Sequence, residues 1–280
     1  MAEHEDWIRG LAADERFGRR DRLGSLHLVR PEVRPEVACG AMSGQTVSLV
    51  RRLVDEKNAR GDGRPGYRLD VYMSESRRDG VLFGSSHVEL DPHGYRNTHL
   101  DAFNHTVIDG RFYSGWPAVI DAAGPSVADF AGGIVTRAVY VDIPGARGTG
   151  WIDGDLPVTG ADIDAALARV GAVFEPGDAL LLDMGRDAYE AHGGTAEIVG
   201  VGPDGDRWLA AHDVSVLCAD FVGGIALTWA IGLVHVIDCS FVALKAALSQ
   251  RNRGPVGTLV VAPLPIGGAT GANVNPLVLL

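Results

Sequence analysis

Cysteine is scarce in this 280-residue chain: Cys39, Cys218 and Cys239 are scattered, odd in number and without CxxC spacing. That set excludes a disulfide framework and supplies no thiolate zinc site. Cys218, in "SVLCAD", reads as a small packed apolar residue. Positive charge is short as well, with 25 Lys and Arg against 36 Asp and Glu and a formal charge of −11. This is the wrong sign for a phosphate backbone, so no nucleic-acid partner is expected. No run approaches the roughly 18 uninterrupted apolar residues of a membrane helix. The start, "MAEHEDWIRG", has no apolar stretch behind a basic cap and so no visible secretory signal. The expectation is a cytoplasmic protein with no membrane partner. A GxSxG elbow is absent, which leaves a serine hydrolase of the α/β type without its nucleophile. "GVGPDG" (200–205) matches GxGxxG by letter, yet Pro203 and the polar stretch before it read as a plain turn.

What is present is a regular alternation of elements. β-branched runs bounded by Gly, Pro or Asp predict strands at 46–54, 138–143, 178–185, 214–220, 234–238 and 257–264. Between them, "VTGADIDAALARVG" predicts a helix with Thr159 as N-cap, Asp162 three residues on, and Ile163, Ala166, Leu167 and Val170 on one face. "SFVALKAALSQRN" repeats the pattern with Ser240 as cap. The expected architecture is α/β with a mixed sheet in a single domain over 1–280, preceded by an N-terminal arm of about 1–40. Residues 58–68 read as a Gly- and Arg-rich loop, followed by strands joined by turns. The tail "PLPIGGATGANVNP" (263–276) reads as too rich in Gly and Asn for a regular element and as a loop lining a pocket.

The densest chemistry lies in "HGYRNTHLDAFNH", residues 93–105. His93, Tyr95, Asn97, His99, Asp101, Phe103 and His105 are all odd-numbered, so an extended chain turns them to one face. A helix would separate His99 from His105. At about 3.3 Å per residue, His99 and Asp101 stand roughly 7 Å apart along the strand, near enough to share one ion about 2.1 Å from each ligand atom. His93 and His105 join only if the backbone bends, for which Gly94 and the "AFN" step give room. Spacing alone leaves a metal half-site and a hydrogen-bonded polar strand both open.

"THLDAFNH" resembles the HxGTHxDxPxH signature of the metal-dependent cyclase and hydrolase family that includes bacterial kynurenine formamidase and isatin hydrolase. It is closer still to that family's longer members, which read "HGxxxTHLDALxH". The likeness extends to "RFGRRDRLGSLHLVRPE" (16–32), "DGRFYSGWP" (109–117) and "VVAPLPIGGATGANVNP" (260–276). The resemblance implies a swivelling β/β/α fold, assembly as a homodimer or homotetramer, and one divalent metal ion, Zn or Mn, activating water against an amide or lactam carbonyl. By position it implies His99 and Asp101 as metal ligands and His105 as general acid/base. The short motif's first histidine falls on Tyr95, and His93, two residues earlier, is the substitute ligand. Two-metal members use a later histidine and a glutamate twelve residues after it. In "IALTWAIGLVHVID", Ala226 takes the histidine position if Asp238 stands for the glutamate, so a second ion is not expected. Asp220 and His235 are candidate pocket residues, set against the ordinary readings of a strand-closing turn former and a satisfied core histidine.

The function expected is hydrolysis of a cyclic or N-acyl amide, a C–N bond other than a peptide bond, in a small-molecule substrate. Tyr95, Phe103 and Trp116 are the residues expected to line its apolar pocket. Two other classes stand beside it: a ring-forming cyclase or dehydratase of secondary metabolism, and a degenerate binding protein that has lost its ion.

Overall fold

A computed structural model describes residues 2–30, 44–51, 67–75, 81–94, 97–119, 121, 123–195, 198–251 and 254–280. Four consecutive strand runs organise it: β5 (Ile134–Asp142), β6 (Ala179–Asp183), β7 (Val216–Ala219) and β8 (Val234–Ile237) lie side by side and parallel. Parallel neighbours need crossovers, and helices supply them. These are α2 (Ile143–Arg147), α3 (Gly160–Val170), α4 (Arg186–Ala191), α5 (Pro203–Ala211) and α6 (Ile225–Ile231), flanked by α1 (Ala2–Ala13) and α7 (Val242–Ser249). Antiparallel strands extend the sheet on both sides. β9 (Val256–Val261), β11 (Leu277–Leu279) and β1 (Thr46–Ser48) follow outward from β5, while β4 (His99–Asp101) and β10 (Gly271–Asn273) follow from β8. The result is a nine-stranded mixed sheet, the expected mixed α/β architecture.

Near-continuous apolar strands put a core on each face, as expected for strands buried on both sides. Leu100, Tyr140, Leu181, Cys218, Val234 and Val236 belong to one core, and Val139, Leu180, Leu182, Leu217 and Trp208 to the other. Cys218 and Cys239 are free and buried within the first, whereas Cys39 falls outside the described residues. Helix α3 starts as its sequence predicts. Thr159 accepts from the Asp162 N–H while the Asp162 carboxylate accepts from the Thr159 N–H, and Gly171 closes the helix in the left-handed region.

Five local expectations need correction. The strand expected at 46–54 is strand over Thr46–Ser48, with Val50 bridging Cys239, and residues 52–54 lie outside the described residues. Ser240 does not cap α7: its hydroxyl donates to Asp187, and Phe241 holds the N-cap position. Pro203 opens α5 rather than a turn, because its fixed φ suits the first helical position and its missing N–H costs nothing there. The glycine-rich tail contains a strand after all: Gly271–Asn273 finds hydrogen-bond partners along β4, which a reading of its own composition cannot see. Of the expected loop at 58–68, Tyr67 and Arg68 begin a strand, and the remainder lies outside the described residues, as do residues 31–40 of the expected N-terminal arm.

Among the described residues, β2 (Tyr67–Glu75) and β3 (Leu82–Leu90) pair only with each other, as a separate antiparallel ribbon. Each of the four parallel strands is closed by an aspartate, Asp142, Asp183, Asp220 and Asp238, at the carboxyl edge where open α/β sheets place their ligands.

Candidate metal centre

Among the described residues of the histidine-rich segment, only His99–Asp101 are strand. His99 lies opposite Ile237 and Leu100 opposite Val236 on β8, while Gly271, Ala272 and Asn273 flank the other side. The backbone turns at both ends. Gly94 takes φ +99, and the His105 N–H returns to the Ala102 carbonyl at 2.9 Å. Both outer histidines therefore fold back over Asp101, and the rings of His93 and His105 stack at 3.9 Å. Parity puts His99 and Asp101 on one face, but the turn sends Phe103 the other way. It is buried against Tyr113 and Phe130 in the core.

Asp101 is the hub. Its Oδ1 lies 3.3 Å from His93 Nδ1 and 3.4 Å from His99 Nε2. At about 2.1 Å per bond, two ligand atoms of a tetrahedral ion stand roughly 3.4 Å apart, so both pairs match a shared ion. His93, Asp101 and His105 also each offer an atom within 4.8 Å of the others. His99 joins through Asp101 rather than as a member of that trio. Neighbouring groups fix the rings. His99 Nδ1 lies 2.8 Å from the Asn97 carbonyl, which can only accept, so Nδ1 carries the proton and Nε2 faces Asp101. His93 Nε2 meets the Thr270 hydroxyl at 2.8 Å. Gly271 is required beside it, since a Cβ there would lie 2.7 Å from the His93 ring and 2.8 Å from the Leu100 carbonyl oxygen.

The electrostatics fit a cation. Burial opposes a charge on Asp101, yet the His93 and His99 rings facing it hold its pKa well below the ordinary carboxylate range. Burial likewise opposes a charge on His99, and the Asp101 carboxylate outweighs it and raises that pKa. His105, at the exposed rim, is lowered by desolvation. Orphaned polar atoms concentrate here: His93 Nδ1, Asp101 Oδ1, Asp238 Oδ2 and both ring nitrogens of His235 are buried without a hydrogen-bond partner. His235 is wholly buried and kept neutral, its pKa pushed down to about 4 by desolvation. It is therefore not the satisfied core histidine that its sequence context suggested. Buried atoms left unpaired around one carboxylate, with imidazole and carboxylate donors, match the requirements of a divalent ion.

Asp238, fully buried, closes the site from β8. Its Oδ2 lies 3.7 Å from His99 Nδ1, and its carbonyl accepts from the Thr98 hydroxyl at 2.6 Å. Behind it, the buried Arg186 donates from Nη1 to the Asp238 carboxylate and from Nε to Glu190 at 3.0 Å. Of the residues expected in the site, His93, His99, Asp101 and His105 come together and Phe103 does not. Trp116 stands apart as well, its indole N–H on the Asp21 carbonyl and its ring under Arg20 and Arg22. Tyr95 lies outside the described residues. Thr270 and Arg186 carry no local signal, whereas Asn97 shares the parity of the ligands and Asp238 stands at the glutamate position of the two-metal pattern.

The family model described as "Putative cyclase" matches residues 45–224. A search of curated proteins finds no match. Among solved structures, one described as a novel cyclase superposes with a TM-score of 0.81 at 22% identity, covering 95% of this chain and 98% of that one. Isatin hydrolase A from Ralstonia solanacearum gives 0.57 at 18% identity, covering 89% and 97%. Isatin hydrolase A from Labrenzia aggregata, bound to benzyl benzoate, gives 0.58 at 17% identity, covering 88% and 98%.

Proposed function

This chain belongs to the cyclase family, and from that premise we propose that it is a metal-dependent hydrolase opening a cyclic or N-acyl amide, with a carbon–nitrogen bond broken outside a peptide. The observation that carries the reading is the convergence of His93 and His99 on one buried oxygen of Asp101, at 3.3 and 3.4 Å. These three residues would hold one zinc or manganese ion, which when bound lowers the pKa of water and polarises a carbonyl. His105 then serves as the acid/base. It is exposed at the rim and stacked on His93, so it can take a proton from the attacking water and pass it to the leaving nitrogen. Desolvation lowers its pKa, which keeps the ring neutral and able to accept at neutral pH. Thr270 and Asn97 hold the two ligand rings in place. The names of the isatin hydrolases, with their fold likeness, support a lactam or formamide as substrate. The test is turnover of a panel of formamides, lactams and N-acyl amides by zinc- or manganese-loaded protein. His105→Ala is expected to keep the metal and lose about 10²- to 10⁴-fold in kcat. Silence of the loaded native chain across the panel would overturn hydrolysis in favour of a ring-forming reaction.

Assembly as a homodimer or homotetramer is proposed through the β2–β3 ribbon. Its register places Leu69 opposite Val88 and Glu75 opposite Leu82, so Leu69, Val71, Met73, Leu82, Val88 and Leu90 share one face, 43–71% exposed. Arg68, Asp70, His87 and Glu89 occupy the other face. A lone two-stranded ribbon is marginal in water. Six such side chains present roughly 600 Å² to a partner, most of the about 800 Å² that each side of a standard interface buries. A second copy offers the same apolar surface. The double variant Val71→Lys/Met73→Glu is expected to run as a monomer in light scattering where the native chain runs as a dimer or larger. An unchanged mass for the variant, or a monomeric native chain, would rule the ribbon out.

A further inference from the structure

A second cation already stands beside the candidate centre, and it belongs to the chain. The Arg186 guanidinium, on a residue 8% exposed, donates to the Asp238 carboxylate, to the Asp220 carbonyl at 3.0 Å and to Glu190 at 3.0 Å. The carboxyl edge offers four aspartates, and three are filled by other groups. Asp142 accepts from the Gly145 N–H and meets Lys245 at 2.8 Å. Asp183 accepts from Tyr140 and from the Gly185 N–H. Asp220 accepts from the Met184, Arg186 and Phe221 N–H groups. Asp238 alone of the four keeps an oxygen buried and without a hydrogen-bond partner, and that oxygen is the one 3.7 Å from His99.

A carboxylate at zero exposure that lacks the N–H donors held by Asp220 needs a cation or a proton against it. Either a guanidinium or a divalent ion meets that need, because both put positive charge and several oxygen-seeking contacts in the same place. We propose that Arg186 is a built-in counter-cation to Asp238, occupying the position beside that carboxylate at which a second divalent ion would otherwise sit, and that it thereby sets the capacity of the centre at one metal. The inference rests on the reading of His93, His99 and Asp101 as a metal site. Arg186 acts through Asp238 and is a positioning residue: it fixes the carboxylate beside His99 and leaves one oxygen turned to the ligand ring.

The test is metal stoichiometry, by equilibrium dialysis and mass spectrometry, on the full chain freed of metal and then titrated with Mn²⁺ or Zn²⁺. One ion is expected for the native chain and for Arg186→Lys, which keeps the charge. Arg186→Met is expected to bind two. Its Tm in the absence of metal should fall by on the order of 10 °C and recover only as the second equivalent binds. Arg186→Met/Asp238→Asn, with the buried charge removed, should bind one ion and show no second step. Two ions in the native chain or in Arg186→Lys overturn the proposal, as does a single ion in Arg186→Met. So does an Arg186→Met chain that stays unfolded at saturating metal while the double variant folds, since the ion would then fail to replace the guanidinium. No ion in the native chain would sink the metal site itself, a distinct outcome from one ion in every variant.

Discussion

Asp101→Asn is expected to empty the metal centre, weakening zinc or manganese binding by on the order of 10³-fold or more, since loss of an outer-shell partner alone costs about 10- to 100-fold. The reason is geometric as well as electrostatic. Oδ1 of Asp101 is the one atom that both His93 and His99 approach, and an asparagine removes the anionic charge at that point. Leu100 and Ala102 on either side stay in the core, so the fold should survive and near-UV circular dichroism should match the native chain. Metal per chain, measured after dialysis, is the readout. A variant that retains the native content would refute the site. Single His93→Ala and His99→Ala variants should also lose the ion, whereas His105→Ala should keep it. Loss in His105→Ala with retention in His99→Ala would instead assign the ion to His93, Asp101 and His105, the trio whose ligand atoms lie within 4.8 Å of one another. The same residue sets an acid limit on the metal-free protein. Burial alone would raise the Asp101 pKa, but the facing His93 and His99 rings depress it. A depressed carboxylate contributes stability above its unfolded value near 4, and that contribution is lost as pH falls through the folded value. Asp101→Asn should flatten this acid limb of the stability profile.

Gly24→Ala is expected to cost about 4 kcal/mol or more, at the extreme end of single substitutions. Gly24 takes φ +52, and a Cβ there would lie 2.2 Å from the Gly232 carbonyl oxygen and 2.6 Å from Phe103 Cζ. Backbone cannot move aside as a flexible side chain can, and the left-handed conformation adds roughly 1–2 kcal/mol of strain. The contact also does structural service for the site. Next to Gly24, the Ser25 N–H donates to the Gly232 carbonyl at 2.8 Å. The Ser25 hydroxyl donates to the Ser215 carbonyl and accepts from the Val234 N–H at 3.0 Å. These bonds fasten the N-terminal segment to the start of β7 and β8, the latter carrying His235 and leading to Asp238. Urea unfolding measures the cost. Gly18→Ala is the control: its φ is +90 but nothing lies within 4 Å of the added methyl, so only about 1–2 kcal/mol should be lost. Equal midpoints for the two variants would show that the Gly24–Gly232 approach carries no special weight.

Where information was local, the sequence was legible. The Thr159–Asp162 capping box lies within four residues and formed as read. The β-branched runs became β5 to β9 because strands buried on both faces need little more than apolar side chains of suitable length. The period of two in His99 and Asp101 survived as well, since those residues are in a strand. Legibility stopped where a second segment decided the outcome. Gly271–Asn273 became a strand because β4 offered it hydrogen bonds, and Ser240 lost its capping role to Asp187. The alternating apolar face of β2 and β3 was present in the sequence but emerges as one surface only when the register aligns Leu69 with Val88.

The α/β alternation, the excess of negative charge and the crowding of three histidines and an aspartate into residues 93–105 are legible without a fold, because they follow from side-chain chemistry and short-range periodicity. Which of those side chains meet depends on the folded chain. The turns at Gly94 and Ala102 bring His93 and His105 into contact across twelve positions, and the pairing of β4 with β8 sets Asp238 and, behind it, Arg186 against His99. The physical reason is that a metal site is defined by separations of a few ångströms among groups distant along the chain. Those separations are fixed by strand pairing and core packing, to which no local stretch of sequence has access.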